Sequence, residues 1–248
     1  MSDFDGLVAA VTGGASGIGK AIADELASRG ARVFALDLDA AAVAEPHTGI
    51  RCDIGDDASV REAIAAVVAD AGRLDIVIAN AGIGAQGDVE ANADDEWMRV
   101  LNVNVIGSAR TIRHAMPHLR ESPSPAVVLT SSIAAWAGLP QRVLYSASKG
   151  AISAMTLAIA ADCLPLGIRV NAVAPGTADT PWVGRLLESA ADPDAERAAL
   201  AARQPSGRLV RPQEVAEAVA YLASPGSASS NGVILPVDGG MYSLRPRR

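Results

Sequence analysis

Aromatic side chains are scarce in this sequence: two Phe, three Trp and three Tyr make up 3% of 248 residues. Ala, Val, Ile and Leu must therefore do the packing, and with half of all residues hydrophobic they can fill a sizeable core. Cysteine is nearly absent. Cys52 and Cys163 have no metal-ligand spacing and predict buried thiols of a reduced, cytoplasmic compartment rather than a disulfide. Positive charge is in deficit, with a net charge of −7, which argues against nucleic acid or an anionic membrane as partner. No apolar run approaches a membrane span. The start, Met-Ser-Asp-Phe-Asp, lacks the basic-then-apolar pattern of a signal peptide. Repeats are missing, and the one biased segment is the short basic end from Arg245 to Arg248. Of three histidines, His114 and His118 lie four apart on an expected helix, but no third ligand accompanies them, so no metal site is expected.

What the chain does contain is alternation. Apolar strand patterns at 7–11, 32–36, 50–52, 75–79, 126–130, 168–174 and 232–237 are interleaved with helical patterns at 20–29, 56–71, 94–116, around Tyr145 and at 212–223. Strictly alternating strands and helices predict an α/β fold: one doubly wound parallel sheet with helices on both faces. No linker interrupts it, so residues 1–248 read as a single domain. Two short helices, 180–189 and 194–203, form an insertion at about 177–211, with Asp192 as N-cap and Pro193 in the first turn. A segment following the C-terminal end of a strand is where a lid over a ligand would sit.

The first strand runs into Thr12-Gly13-Gly14-Ala15-Ser16-Gly17-Ile18-Gly19 and then a helix. Glycines there let backbone approach a pyrophosphate, and the free N–H groups of a helix N-terminus favour its charge. Asp37 ends the second strand, eighteen residues beyond Gly19, where a carboxylate would bind adenosine ribose hydroxyls and repel a 2′-phosphate. Neither Leu38, Asp39 nor Ser16 offers a positive charge, so the expected cofactor is NAD rather than NADP. Asp53, at the next strand end, is placed to accept from the adenine amino group. Tyr145 and Lys149 are four apart and share one helix face. A phenol beside an ammonium makes a general acid/base suited to an alcohol oxygen, because the cation lowers a pKa that is otherwise about 10.

The Gly13–Gly19 turn, Asn80-Ala81-Gly82, Asn104, Ser132, Tyr145-x-x-x-Lys149 and Pro175-Gly176 together resemble the motif series of the short-chain dehydrogenase/reductase family, in its order and spacing from Asp5 to Gly240. The resemblance implies a Rossmann-type fold and hydride transfer between a nicotinamide and a carbonyl or alcohol. It implies Tyr145 as proton donor and acceptor. Lys149 would lower its pKa and hold the nicotinamide ribose. Ser132, thirteen residues before Tyr145, would bind the substrate oxygen, and Asn104 would support a water leading from Lys149 to solvent. Gly13, Ser16, Gly17, Ile18 and Gly19 would contact the cofactor, with Asn80, Ala81 and Gly82 from the fourth strand. Pro175, Gly176, Thr177 and Thr180 would line the nicotinamide carboxamide. The family also implies a homotetramer, with the uncharged helix at 150–161 and the helix starting at Asp94 at an interface.

Arg142, Arg185 and Arg203 suggest what the small-molecule substrate carries. Guanidinium groups near such a site suit a carboxylate, which they hold with two parallel bonds. From the residues alone the alternative stands level: Arg185 could pair with Glu188, and Arg203 could simply end a helix in solvent. Arg142, the 176–181 stretch, Arg185 and Arg203-Gln204 resemble the family branch containing cytosolic 3-hydroxybutyrate and 2-keto-3-deoxy-L-fuconate dehydrogenases. That branch implies a hydroxy acid or sugar acid as substrate. A neutral sugar or alcohol dehydrogenase, a 3-oxoacyl-carrier-protein-reductase-like enzyme and an NAD-binding sensor are the competing readings. Trp182, in the insertion, either covers the substrate or anchors the insertion.

Overall fold

The computed structural model describes residues 3–188 and 190–245. Seven strands form one parallel sheet: β1 Val8–Thr12, β2 Arg32–Asp37, β3 Thr48–Arg51, β4 Ile76–Ala79, β5 Ala126–Thr130, β6 Arg169–Pro175 and β7 Ile234–Val237. Their order is β3-β2-β1-β4-β5-β6-β7. The central strands β1, β4 and β5 are buried along their whole length, because helices cover both faces. That is why they read as unbroken apolar runs in the sequence.

On one face lie α1 (Gly17–Ser28) and α8 (Pro212–Ala223), packing Ile22, Leu26, Val215 and Val219 against Ala9, Val11, Ile76 and Ile78. On the other face lie α2 (Asp57–Ala71), α4 (Gly107–Leu119) and α5 (Val143–Cys163), packing Val60, Ile64, Val67, Ile112 and Ile152 against Val77, Val127 and Leu129. The buried Asp75 carboxylate pins the start of β4: it accepts from Val8 N (2.8 Å) and from Arg73, and Ser122 donates to it at 2.5 Å. Burial alone would raise its pKa, but Arg73, Ser122 and the Val8 N–H outweigh that and hold it below the usual value.

The order reverses between β1 and β4. Four loops meet there at the carboxyl ends of the strands: those after β1, β4, β5 and β6. In an open α/β sheet such a switch point is where a ligand binds.

The structure departs from the sequence reading in four places. Helix α1 begins at Gly17, so the glycine turn supplies its first residues. The third strand is Thr48–Arg51 rather than 50–52: it is an edge strand, partly exposed, and Thr48 and Arg51 carry no apolar signal. The expected 94–116 helix is α3 (Asp94–Leu101) and α4, joined by a π-helical turn at Asn102–Ile106. Such a turn inserts an extra residue into a helix and cannot be told from α-helix by composition. Finally, Val143–Leu166 is long and apolar enough in composition to cross a membrane, against the expectation that no stretch would be. Its inner face packs into the core at Ile152, Ala160 and Cys163, while Leu157, Leu164 and Leu166 stay exposed. The helix expected at 180–189 is α6 (Pro181–Glu188), and Ser189 lies outside the described residues, as do 246–248 of the basic end. The second insertion helix is α7 (Pro193–Ala202), with Asp192 capping it through Ala195 N at 3.0 Å.

Candidate active site

A cavity of about 610 Å³ opens at the switch point. One end is built by the glycine turn. Thr12 Oγ1 accepts from Asn80 N (3.0 Å) and Ala81 N (3.1 Å), which locks the end of β1 to the end of β4. Asn80 spans further: its Nδ2 donates to Thr12 O (3.0 Å) and its Oδ1 accepts from Thr130 Oγ1 (3.2 Å). Gly13, Ser16, Gly17, Ile18, Gly19, Asn80, Ala81 and Gly82 all line this end. Gly19 has no room for a side chain, since a Cβ would lie 2.0 Å from Gly13 O. Ser16 is the N-cap of α1, yet its side chain makes no cap bond and the first turn holds no acid. The helix N-terminus is thus left facing the cavity without a side-chain partner, as an incoming pyrophosphate requires.

Asp37 and Asp53 flank that end. Asp37 is fixed by Ala15 N (3.1 Å) and Asp39 N (3.1 Å), so its carboxylate is tied to the glycine turn itself. Asp53 accepts from Gly55 N at 2.8 Å. Arg51 is the register partner of Asp37 on β3 but lies outside the cavity lining. The residues present fit a dinucleotide, with the pyrophosphate at the glycine turn.

At the other end stand Ser132, Tyr145 and Lys149. Ser132 follows β5 and its Oγ accepts from Ala134 N (3.1 Å). Its neighbour Ser131 is engaged elsewhere, donating to Lys149 O (3.0 Å) and sharing a bond with Ser153 (2.8 Å), which leaves Ser132 beside the Tyr145 phenol. Lys149 is buried, and its Nζ donates to Thr130 O at 2.7 Å. Burial brings its pKa down to about 8. Burial raises that of Tyr145, opposed by the hydrogen bond with Ser132 and the charge of Arg142. Lys149 Nζ lies 5.8 Å from the Tyr145 ring centre. The charge of Arg142 thus adds a second cation near the phenol, beside Lys149.

Asn104 sits in the π-helical turn and does not line the cavity. Its amide clasps Ile83, accepting from N (2.8 Å) and donating to O (2.9 Å), and donates to Ser148 Oγ at 3.1 Å. It therefore fixes the strand-end loop after Gly82 to the helix carrying Tyr145. Pro175, Gly176, Thr177 and Thr180 line the cavity on the β6 side.

The three arginines converge. Arg142, Arg185 and Arg203 all line the same cavity, from the start of α5, from α6 and from the end of α7. Arg142 donates only to the backbone, at Gln141 O (3.2 Å) and Ala85 O (3.5 Å). Its pKa is lowered, first by burial and then by the like charge of Arg203. Arg185 and Arg203 make no ion pair or hydrogen bond among the described residues, so the Arg185–Glu188 pair does not form. By contrast Arg197 and Arg208, in the same insertion, are paired with Asp179 (2.6 Å) and Glu214 (2.6 Å).

Trp182 both lines the cavity and seats α6. Its ring lies so close over Gly84 that a Cβ there would be 2.6 Å from Cζ2. Gln204 was not singled out from the sequence as a site residue. It is buried and donates to Thr177 O (3.3 Å) and Arg208 O (2.7 Å), tying the residue after Arg203 to the loop after β6. Its neighbour Arg203 is the sequence signal that could have pointed to it. His114, raised above as half of a metal pair, hydrogen-bonds Asp57 Oδ1 at 2.9 Å. No cluster of three metal-binding side chains occurs among the described residues.

A doubly wound sheet with a glycine turn at its switch point, and a Ser–Tyr–Lys set across the same cavity, defines a dinucleotide-dependent oxidoreductase. A family model described as enoyl-(acyl carrier protein) reductase matches residues 13–242. Cis-4-hydroxycyclohexanecarboxylate dehydrogenase of Sinomonas cyclohexanicum is 43% identical over 96% of this chain and 97% of its own length. The ligand-free aldohexose dehydrogenase of Thermoplasma acidophilum superposes with a TM-score of 0.93 at 34% identity, covering 100% of this chain and 98% of that one. A 3-ketoacyl-(acyl-carrier-protein) reductase from Brucella melitensis, complexed with NADH, gives a TM-score of 0.88 at 32% identity over 96% and 99%. The chain belongs to the short-chain dehydrogenase/reductase family. It is a nicotinamide-dependent oxidoreductase acting on the CH–OH group of secondary alcohols and the corresponding ketones.

Proposed function

We propose that this protein is a cytoplasmic, NAD-dependent dehydrogenase of a small hydroxy acid. The observation that carries the acid is the set of three arginines on one cavity, two of them without a partner among the described residues while their neighbours are paired. Arg142 is half-buried and Arg185 and Arg203 are exposed. Like charges on one cavity repel, an anion among them relieves that, and a carboxylate can accept two parallel bonds from one guanidinium and single bonds from others. The 43% identical relative is named for a hydroxy carboxylate, which supports the same reading.

In this reading Ser132 and Tyr145 hold the carbinol oxygen. Tyr145 takes its proton in the oxidative direction and returns it in the reductive one. Lys149 anchors the nicotinamide ribose, and Asn104 positions the loop after β4 against α5. When bound, the nicotinamide supplies the hydride acceptor. Arg142, Arg185 and Arg203 orient the acid so that its carbinol faces Tyr145, and α6–α7 act as the lid that excludes water. The free, buried Cys52 and Cys163 are in keeping with a reduced compartment. Exposed Leu157 on the outer face of α5, with Leu164 just past its end, supports association of copies into a tetramer through that helix.

The test is inhibition by a non-oxidisable analogue. A saturated cyclic carboxylate should compete with the substrate, and its amide should bind at least tenfold more weakly, because it offers the guanidiniums no charge. Equal inhibition by acid and amide contradicts the reading. On the cofactor side, the wild type should favour NAD over NADP by about 100-fold or more in kcat/KM. Asp37→Ala should shrink that ratio at least tenfold, chiefly by weakening NAD. An unchanged ratio would remove Asp37 from the cofactor site.

A further inference from the structure

The cavity says more about the acid than that it has a carboxylate. We propose that the frame joining its carbinol to its carboxylate is hydrocarbon, a chain or ring with no further hydroxyl groups. This rests on the hydroxy-acid reading and narrows it.

The argument is an accounting of hydrogen-bond acceptors. Ile83, Ile133, Leu139, Trp182, Leu186 and Leu200 give the cavity that Tyr145 and the arginines line an apolar wall. The polar side chains on the cavity are engaged within the chain or belong to the cofactor end, where Ser16 and Thr177, whose hydroxyls make no bond among the described residues, stand for the pyrophosphate and the nicotinamide carboxamide. Asn80 is held by Thr12 and Thr130, Ser131 by Lys149 and Ser153, and Thr180 Oγ1 accepts from Val183 N at 3.4 Å. The two carboxylates, Asp37 and Asp53, stand at the ends of β2 and β3, across the cavity at the glycine-turn end, and bind backbone N–H groups. Ser132 and Tyr145 serve the reacting oxygen. The three arginines are left, and a guanidinium only donates.

A hydroxyl on the substrate frame must donate as well as accept. Against this wall it would lose its water and meet no free side-chain acceptor among the described residues, a cost that hydrocarbon does not incur. An adjoining cleft of about 280 Å³ shares Trp182, Arg185 and Leu186 and adds Gln86 and Glu96. There one Glu96 oxygen accepts from Asn92 at 3.0 Å and the other faces Arg99 at 3.8 Å, and Glu96 does not line the cavity that holds Tyr145. Sites built for sugar acids present carboxylates or amides to the vicinal hydroxyls; this wall presents methyl groups and an indole.

The experiment measures kcat/KM of the wild-type enzyme with NAD on three matched sets. These are hydrocarbon hydroxy acids (hydroxycyclohexanecarboxylates and 5-hydroxyhexanoate), aldonic acids (gluconate and galactonate), and neutral cyclohexanol. Hydrocarbon acids should exceed aldonic acids by about 100-fold or more. Aldonic acids that equal or surpass them, both beating cyclohexanol, would overturn the hydrocarbon frame and leave the acid reading standing. A ring acid no better than cyclohexanol would remove the acid reading and this inference with it. Leu139→Asn places an amide on the wall. It should cut the ratio of hydrocarbon to aldonic acid about tenfold, and an unaltered ratio counts against the proposal.

Discussion

Tyr145→Phe should lower kcat by about 1,000-fold while NADH binds within a few-fold of the wild-type affinity. The change removes one oxygen and leaves the ring packed beside Leu144, Ala85 and Val100. What disappears is the group that moves the carbinol proton. Stopped-flow turnover and fluorescence titration of NADH separate the two effects. A protein that merely senses NAD would lose nothing in either measurement. The pH dependence follows from the same atom. Oxidation needs the phenolate, and burial raises the phenol pKa above its ordinary value, with Ser132 and Arg142 pulling the other way. The oxidative rate should therefore climb with pH into the alkaline range, while ketone reduction, which needs the phenol, falls. Lys149, at about 8, gives up its charge over part of that range, whereas a guanidinium does not. Arg142 is thus the cation that persists beside the phenolate.

Arg142→Ala should raise KM for a hydroxy acid by about 30- to 100-fold, the loss of a charge-assisted bond in a partly buried site. KM for a neutral alcohol should change less than threefold. A second signature accompanies the first: the rising limb of the oxidative pH profile should move to higher pH for both substrates, because one charge that favours the phenolate is gone. A variant that had only disturbed the start of α5 would raise both KM values together. The acid-to-neutral split in KM reports the carboxylate contact, and the shared pH shift reports the effect on Tyr145. Arg203→Ala should reproduce the split with a smaller pH shift, since its charge acts on Arg142.

The legible parts of this chain were those written in local pattern. Strands β1, β4 and β5 are buried on both faces, so their residues are uniformly apolar and their ends were placed within a residue or so. Helices α2, α7 and α8 carry their start signals in Asp56, Asp192-Pro193 and Pro212. The glycine turn, Ser132, Tyr145 and Lys149 were legible because their spacing is fixed by strand-to-helix geometry. The π-helical turn was not, because Asn102 to Ile106 differ from α-helix only in which carbonyl each N–H finds. The hydrogen bond from Lys149 Nζ to Thr130 O was not legible either, because that partner comes from β5 and no sequence window contains it. The arginines were visible as residues and ambiguous as a site. What favours the site reading is that, among the described residues, Arg197 and Arg208 find carboxylates while Arg185 and Arg203 do not, and partner choice is a property of the folded chain.

The most direct test of the central claim is the NAD-linked oxidation of a hydroxy acid against its own methyl ester by the wild-type enzyme. The two differ in the carboxylate charge and keep the same carbinol. A carboxylate held by Arg142, Arg185 and Arg203 predicts kcat/KM at least 100-fold higher for the acid. Equal values for acid and ester, with turnover intact, would keep Ser132, Tyr145 and Lys149 in their roles and contradict the arginine site.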